Sequence, residues 1–447
     1  MNMKNLNTNT AHIKLIVSLF ITVLVFQASS GQQTPAAEQT KGIAITGATA
    51  HLGNGQVIEN SIIAFENGKI TMVKDMTNLK ADIKGMDIIE GNGKHIYPGF
   101  IIPNATLGLV EIDAVRATDD DSEIGIFNGH IRSLIAYNSE SKIVESMRPN
   151  GVLIGQITPR GGRISGTSSI VQFDAWNWED AVIKEDDAIH INWPRNFTRG
   201  RWWLGEDPAM KENMEYKKQV LALNDYFNSA KTYEKSEKEA INLPYESLLG
   251  LFDGGKKLYI NVNDEKGIVD AINFAKAQKV EHVTLIGCYE ADKLADMIKN
   301  NNISVLVKRP HTTPENTDDD YDKPFKLAKL LFDKGVTIAL QAQGQMERMN
   351  SRNLPFYAGT TAAYGLTKEE ALQLITLNAA KILGIDDNYG SLEVGKSATL
   401  FISEGDALDM RSNIIPRAFI DGRDISLETH QTKLWKRYAE KYDKLKN

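Results

Sequence analysis

An α/β fold built around an eight-stranded (β/α)8 TIM barrel is predicted by two patterns in this 447-residue chain. Through the middle, short apolar strands alternate with helical segments, as in a parallel sheet covered by helices. At either end a β-rich block brackets that alternation. About 290 residues of alternating pattern fit a closed eight-stranded barrel better than a five-stranded open sheet.

In chain order, residues 1–30 read as a secretory signal peptide. Lys4 and Lys14 precede the apolar run Leu15 to Phe26, and the small residues Ala28, Ser29 and Ser30 follow. The run is too short to span a bilayer as a helix. An exported protein, periplasmic or secreted, is expected, with no membrane association once the leader is removed. Residues 31–41 read as a polar linker. The alternating segments Ile43 to Ile45 and Ser61 to Phe65, with Asn67-Gly68 as a hairpin turn, begin the first β-rich block at 42–95. The second block, 386–430, contains Ala398 to Ile402 and Ala418 to Ile420 before another turn pair, Asp421-Gly422. Residues 431–447 are expected to form a C-terminal helix.

Between the blocks, residues 96–385 carry the barrel pattern. Strands are expected at Ile96 to Ile102, Val152 to Ile157, Leu258 to Val262, Val283 to Ile286, Ile303 to Val307 and Val336 to Leu340. Helices are expected at Gly267 to Ala277, Asp292 to Lys299 and Tyr321 to Lys334. The last barrel helix has a capping-box spacing, Thr367 with Glu370, and Gly384 after its final turn. A stretch at about 176–255 breaks the alternation. It is charged, holds five of the six tryptophans, and reads as an insertion on the ligand-binding face with a helix striped by Val220, Leu223, Phe227 and Ala230. Its indoles suit a packed insertion or an aromatic wall beside a ligand.

Composition narrows the function classes. A chain that is 42% apolar and 24% charged is ordinary for a soluble globular protein. The net charge of -7 gives no basic patch for nucleic acid. With Cys288 as the single cysteine, no intramolecular disulfide can form, so stability rests on the core. No Gly-x-Ser-x-Gly elbow appears, and Cys288 has no evident activating partner.

The phrase Gly93-Lys94-His95-Ile96-Tyr97-Pro98-Gly99-Phe100-Ile101 resembles the start of an amidohydrolase barrel. Pro159 to Gly166 resembles a glycine-rich turn of the imidazolonepropionase-like branch of that superfamily. Arg352 to Phe356, and Tyr364 to Leu372, resemble the stretch after its last barrel strand. Ile375 to Gly384 followed by Gly390 to Lys396 is the most specific match, similar to the superfamily's passage from barrel back to sandwich. The resemblance covers nearly the whole chain after the leader. It implies a distorted barrel beside a small composite β-sandwich formed by the N- and C-terminal segments. It also implies a hydrolase acting on non-peptide carbon–nitrogen bonds, whose relatives use one or two zinc-type divalent metals to activate water and polarise a carbonyl.

Located through that resemblance, the metal-ligand positions hold other residues. Asn104 and Thr106 stand at the His-x-His pair, Asn261 and Gly287 at two further histidines, Gln172 at the bridging lysine, and Gln343 at the aspartate that takes a proton from metal-bound water. Amide and hydroxyl oxygens are poor substitutes for imidazole on such a metal, and a glutamine amide is no general base near neutral pH. After leader removal seven histidines remain, none with HxH or HxxxH spacing, and only His130, His190 and His311 fall near the barrel face. No metal site or other cofactor is therefore expected unless hydrolysis survives on rearranged ligands. Asp119 to Asp121 and Asp318 to Asp322 read as solvated loops rather than calcium sites. Arg160, Arg163, Lys308, Arg309 and His311 are candidates for binding an anion at the mouth. Two functions follow. One is a C–N hydrolase. The other is a metal-free, catalytically inactive binding protein taking a small molecule in the barrel mouth, with a homo-oligomer or an intact amidohydrolase as the partners it leaves open.

Overall fold

The computed structural model describes residues 34–77, 82–201, 204–207, 209–236, 240–344 and 346–442; the expected signal peptide lies outside them. The chain divides into Met1–Pro35 and Ala36–Asn447, and the fold is that of the second unit.

The two terminal blocks meet in one hydrogen-bonded sheet. The N-terminal segment supplies β1 (Ile43–His51), β2 (Val57–Glu66), β3 (Lys69–Asp75), β4 (Asp87–Glu90) and β5 (His95–Pro98). The C-terminal segment supplies β16 (Leu400–Ser403), β17 (Arg417–Ile420) and β18 (Arg423–Ile425). Their order is β18-β17-β16-β5-β1-β2-β3, with β4 pairing β1. The join lies between β5 and β16, where Tyr97 faces Phe401 across an antiparallel ladder. Both predicted turn pairs close hairpins with positive φ at each residue: Asn67 (51°) and Gly68 (76°), Asp421 (48°) and Gly422 (75°). That left-handed geometry matches the twist of the flanking strands.

The second sheet is a nearly closed barrel ordered β15-β14-β13-β12-β9-β8-β7-β6. Its strands are β6 (Phe100–Ala105), β7 (Val152–Ile157), β8 (Ile164–Gln172), β9 (Val182–Asn192), β12 (Lys257–Val262), β13 (Val283–Gly287), β14 (Ser304–Val307) and β15 (Ile338–Leu340). Between its edges the turn at Leu374 and Ile375 acts as a stitch. Leu340 N donates to Leu374 O (3.2 Å) and Ile101 N donates to Ile375 O (2.8 Å). Those bonds draw the turn's carbonyls out of helical pairing. The expected last barrel helix accordingly divides into Lys368–Gln373, opened by the Thr367/Glu370 capping box, and Leu377–Leu383, closed by Gly384 at φ 73°.

Strict (β/α)8 alternation does not hold. β8 runs antiparallel to both β7 and β9, because the Pro159–Arg163 segment is a hairpin turn rather than a crossover. The expected insertion at 176–255 is also corrected, since β9 within it is a barrel strand paired in parallel with β12. What projects beyond the sheet is the hairpin of β10 (Phe197–Arg199) and β11 (Met210–Glu212), followed by the Tyr216–Lys235 helix. That helix buries Tyr216, Leu223, Phe227 and Ala230, with Val220 only partly covered. Of the described tryptophans in this stretch, Trp193 is buried and donates to the Tyr216 hydroxyl, whereas Trp176 is exposed.

One end of the barrel is closed by side chains. Ile101, Ile154, Ile170, Ala188, Tyr259, Ile286, Leu306 and Ala339, one from each strand, pack together with Ala379, Ala380, Ile382 and Leu383 of the Leu377–Leu383 helix. Burying each large side chain of such a layer contributes about 1.5–3 kcal/mol. The layer forms a floor, and residues two positions further along the parallel strands point into the space above it. The expected linker is partly docked. Ala36 N donates to Asp174 (2.9 Å), and Asp174 also pairs with the buried Arg148 (2.9 Å) and Arg423 (2.8 Å).

Candidate functional site

Above the apolar floor the barrel interior turns polar. Gln156 of β7 donates to Asp187 (2.8 Å) and accepts from Asn104 N (3.1 Å). Ser168 of β8 donates to the other Asp187 oxygen at 2.7 Å. His190 Nε2 lies 2.9 Å from the Ser168 hydroxyl, whose proton is already committed to Asp187, so the imidazole is the donor. Burial raises the Asp187 pKa above the usual carboxylate range. Burial first, and then the Arg160 charge, drives the His190 pKa far below its usual value, so the ring is neutral. With serine between carboxylate and imidazole, the order is wrong for a hydrolytic triad, in which the base must take the hydroxyl proton. This layer is a satisfied polar network.

At the strand C-termini Asn104, with φ 53°, is the hub. Its amide donates to Gln341 Oε1 (3.3 Å) and Gln343 Oε1 (3.5 Å) across the gap between β6 and β15. Arg160, from the β7–β8 turn, donates through Nη1 to Asn104 Oδ1 (3.0 Å). Its Nη2 serves both Asn104 O (2.9 Å) and Glu347 Oε1 (2.9 Å). The same Glu347 oxygen accepts from Thr106 N (3.0 Å) and Oγ1 (3.2 Å). Arg348 adds a bond to Thr106 Oγ1 (3.1 Å) and pairs with Asp113 and Asp121. Asp121, partly buried beside Asp119, has its pKa pushed up to about 6 by burial first and by that neighbour second.

Asn104, Thr106, Gln343 and Arg160 are thus brought together, and sequence reasoning missed Gln341, Gln156, Glu347 and Arg348 beside them. The remaining candidates sit apart. Asn261 donates to Asn192 (3.1 Å). Gly287, at φ 88°, presents no side chain, and a Cβ there would fall 2.4 Å from Asn263 Oδ1. Gln172 is a correction: because β8 runs antiparallel, its C-terminal end lies opposite Ile154, towards the floor, where Gln172 bonds the Asp174 backbone instead of reaching the mouth. Arg163 donates to Asn192 O (2.6 Å) and Gln219, Lys308 pairs with Glu315 (3.0 Å), and His311 meets Thr360 (2.7 Å). His130, His190 and His311 do not converge. The solvated-loop reading of Asp119 to Asp121 is also incomplete, since Asp121 faces Arg348.

A zinc-type ion needs free lone pairs and negative or imidazole ligands. Here both Asn104 oxygens and Glu347 Oε1 are occupied by a guanidinium, whose charge opposes a second cation. Among the described residues, no three His, Cys, Asp or Glu side chains are grouped to hold a metal ion. The residues present do not fit the group.

Residues 265–427 match the amidohydrolase family profile. The chain is 30% identical over 109 residues to the imidazolonepropionase of Flavobacterium psychrophilum, covering 23% of this chain and 26% of that protein. It is 66% identical over 35 residues to the imidazolonepropionase of Shewanella frigidimarina, 8% of each chain, so these matches span about a quarter of the one relative and less than a tenth of the other. A longer match, 24% identical over 379 residues, is to a 5-methylthioadenosine/S-adenosylhomocysteine deaminase of Thermoanaerobacter pseudethanolicus, covering 78% of this chain and 82% of that one. In fold, the chain is similar to the crystal structure of an amidohydrolase from Thermotoga maritima, with a TM-score of 0.74 at 23% identity over 86% of this chain and 99% of that one.

Proposed function

Since the chain belongs to the amidohydrolase superfamily, we propose that it is a member whose barrel mouth binds a small polar molecule without a divalent metal. The observation that carries this reading is the Arg160 guanidinium seated on both Asn104 oxygens and on Glu347, at the positions that match the superfamily's first ligand pair. An internal cation there takes up the oxygens a metal would need. In the same reading the protein is exported to the periplasm or beyond, its composite sheet is the small sandwich such barrels carry, and it acts alone, as a homo-oligomer or beside an intact amidohydrolase.

The second reading, hydrolysis of a non-peptide C–N bond on rearranged ligands, is favoured by the names of its relatives, imidazolonepropionase and a deaminase. Elemental analysis separates the two. After incubation with zinc, manganese or iron and removal of excess, the purified mature protein is expected to retain well below one equivalent. Uptake of about one or two equivalents, the stoichiometry of a catalytic site, would overturn the metal-free reading and justify a hydrolase screen.

A further inference from the structure

We infer that the C-terminal helix, His430–Lys441, docks on an anionic lipid bilayer, with Trp435, Tyr438 and Tyr442 entering the interface between headgroups and acyl chains. The inference goes beyond the chemistry of the barrel and holds with or without a metal in it. It replaces the expectation of no membrane association after leader removal. Helical spacing decides which side chains share a face. Trp435, Tyr438 and Tyr442 stand at i, i+3 and i+7, a single stripe, and they are 61%, 51% and 61% exposed. Ala439, beside that stripe, is buried. Thr429 caps the first turn, and His430 N donates to Glu145 Oε1 (2.5 Å), which ties the start of the helix to the barrel. Three large rings are thus held in a row by a folded helix and left mostly uncovered. Single exposed apolar residues are ordinary, but an aligned aromatic row is a contact surface.

Charge selects the occupant. The same helix carries Lys433, Lys436, Arg437 and Lys441 against one carboxylate, Glu440, in a chain whose net charge is -7. Lys433 and Lys436 share Glu428 (3.9 and 2.9 Å), whereas Arg437 and Lys441 lie over the rings of Tyr438 and Tyr442, 5.1 and 5.3 Å from their centres. A second copy meeting this face about a two-fold axis would set these cations against themselves. An anionic bilayer matches them, and its interface takes Trp and Tyr with the apolar ring inward and the polar atom among the headgroups. A twelve-residue helix is too short to span a bilayer, which leaves it in the plane of the interface. Its position agrees. Glu145 lies three residues before Arg148, which pairs with Asp174, and Asp174 accepts from Ala36 N at the start of the folded unit. In the exported reading only Gly31 to Pro35 separate that start from the leader, so this side of the unit stays within reach of the bilayer during export.

The test is co-sedimentation of the chain from Gly31 onward, which lacks the apolar run Leu15 to Phe26, with vesicles of phosphatidylcholine alone or with about one third phosphatidylglycerol. Binding to the anionic vesicles is expected to exceed binding to the neutral ones about tenfold or more, and to fall away as salt rises from about 0.1 M to about 1 M. Arg437→Gln with Lys441→Gln should weaken partitioning about twentyfold, since each cation near such a surface is worth about fivefold. Trp435→Phe should keep most of the binding and lose the quenching of tryptophan fluorescence by brominated acyl chains. All three side chains are exposed, so an unchanged thermal unfolding midpoint verifies the fold of these variants. Equal binding to both vesicle types, no binding to either, charge variants that bind like the wild type, or quenching that persists in Trp435→Phe would overturn the inference. So would a dimer, formed without lipid, that Trp435→Ala dissociates, since a second copy would then cover the face.

Discussion

The two ends of the barrel are built on opposite terms. At the floor, an apolar layer contributed by every strand is sealed by the Leu377–Leu383 helix, and beside it the Asp174 carboxylate has both oxygens bonded to guanidinium groups. At the mouth, Gln341 Nε2, Asn263 Oδ1 and Arg309 Nε are buried without hydrogen-bond partners among the described residues. Native proteins satisfy nearly all such groups. The contrast teaches that the apolar seal lies where the strands begin and that polar side chains gather where a barrel presents its ligand.

The sharpest way to break that comparison is at Asp174. Its two oxygens hold Arg148 at the barrel, Arg423 on β18 and the Ala36 backbone, and only 2% of its side chain is exposed. Asp174→Ala leaves two covered guanidinium groups without their carboxylate, and a loss of about 3–5 kcal/mol is expected. Denaturant unfolding followed by circular dichroism measures it. A loss below about 1 kcal/mol, the range of surface pairs, would mean that the floor is not anchored by this carboxylate.

A matched pair of truncations sharpens the comparison further. Ile286, 2% exposed in the floor layer, is expected to cost about 3 kcal/mol on change to alanine, through lost burial and the cavity left behind. Asn261, on the neighbouring β12, makes a single 3.1 Å side-chain bond to Asn192 nearer the mouth, and its change to alanine should cost about 1 kcal/mol. Equal losses at both positions in the same unfolding assay would refute the division between a stabilising floor and a ligand-facing mouth.

Much of the floor was legible in the sequence and much of the mouth was not. Val152–Ile157 forms a strand over the expected residues, and the parallel strands β12 to β15 differ from expectation by a residue or two at their ends, because continuous apolar runs flanked by turn residues leave few alternatives. β8 was missed. Its sequence, ISGTSSIVQ, is buried along its whole length yet rich in serine and threonine, and two of those hydroxyls find their acceptors elsewhere in the fold, Asp187 for Ser168 and Gly129 O for Thr167. That one antiparallel strand also sends Gln172 to the wrong end. At the site, resemblance located Asn104, Thr106 and Gln343, and their place in the glycine-rich turn singled out Arg160 together with Arg163. Glu347 lies 241 residues from Thr106 on a five-residue helix, and nothing local announces that its carboxylate will accept from Thr106 and Arg160.

The smallest expected effect is a pH dependence that sets groups of the polar interior against one another. His190 has a folded pKa well below its unfolded value near 6.5, so its contribution to stability is complete above that value and is lost as pH falls below it, where the unfolded chain binds the extra proton. Asp121, raised to about 6 from 3.8, acts in the opposite sense: its contribution is present below 3.8 and fades as pH rises through about 6. Asp187, also raised, shares that sense. Between pH 6.5 and 4 the histidine therefore withdraws stability while the carboxyls supply it, and the wild-type unfolding midpoint should vary weakly. Asp121→Asn removes one opposing contribution and should steepen the acid-side decline, whereas His190→Gln should flatten or reverse it. Identical pH profiles for the two variants would show that these buried groups do not govern the acid response, and that the polarity above the floor is energetically silent.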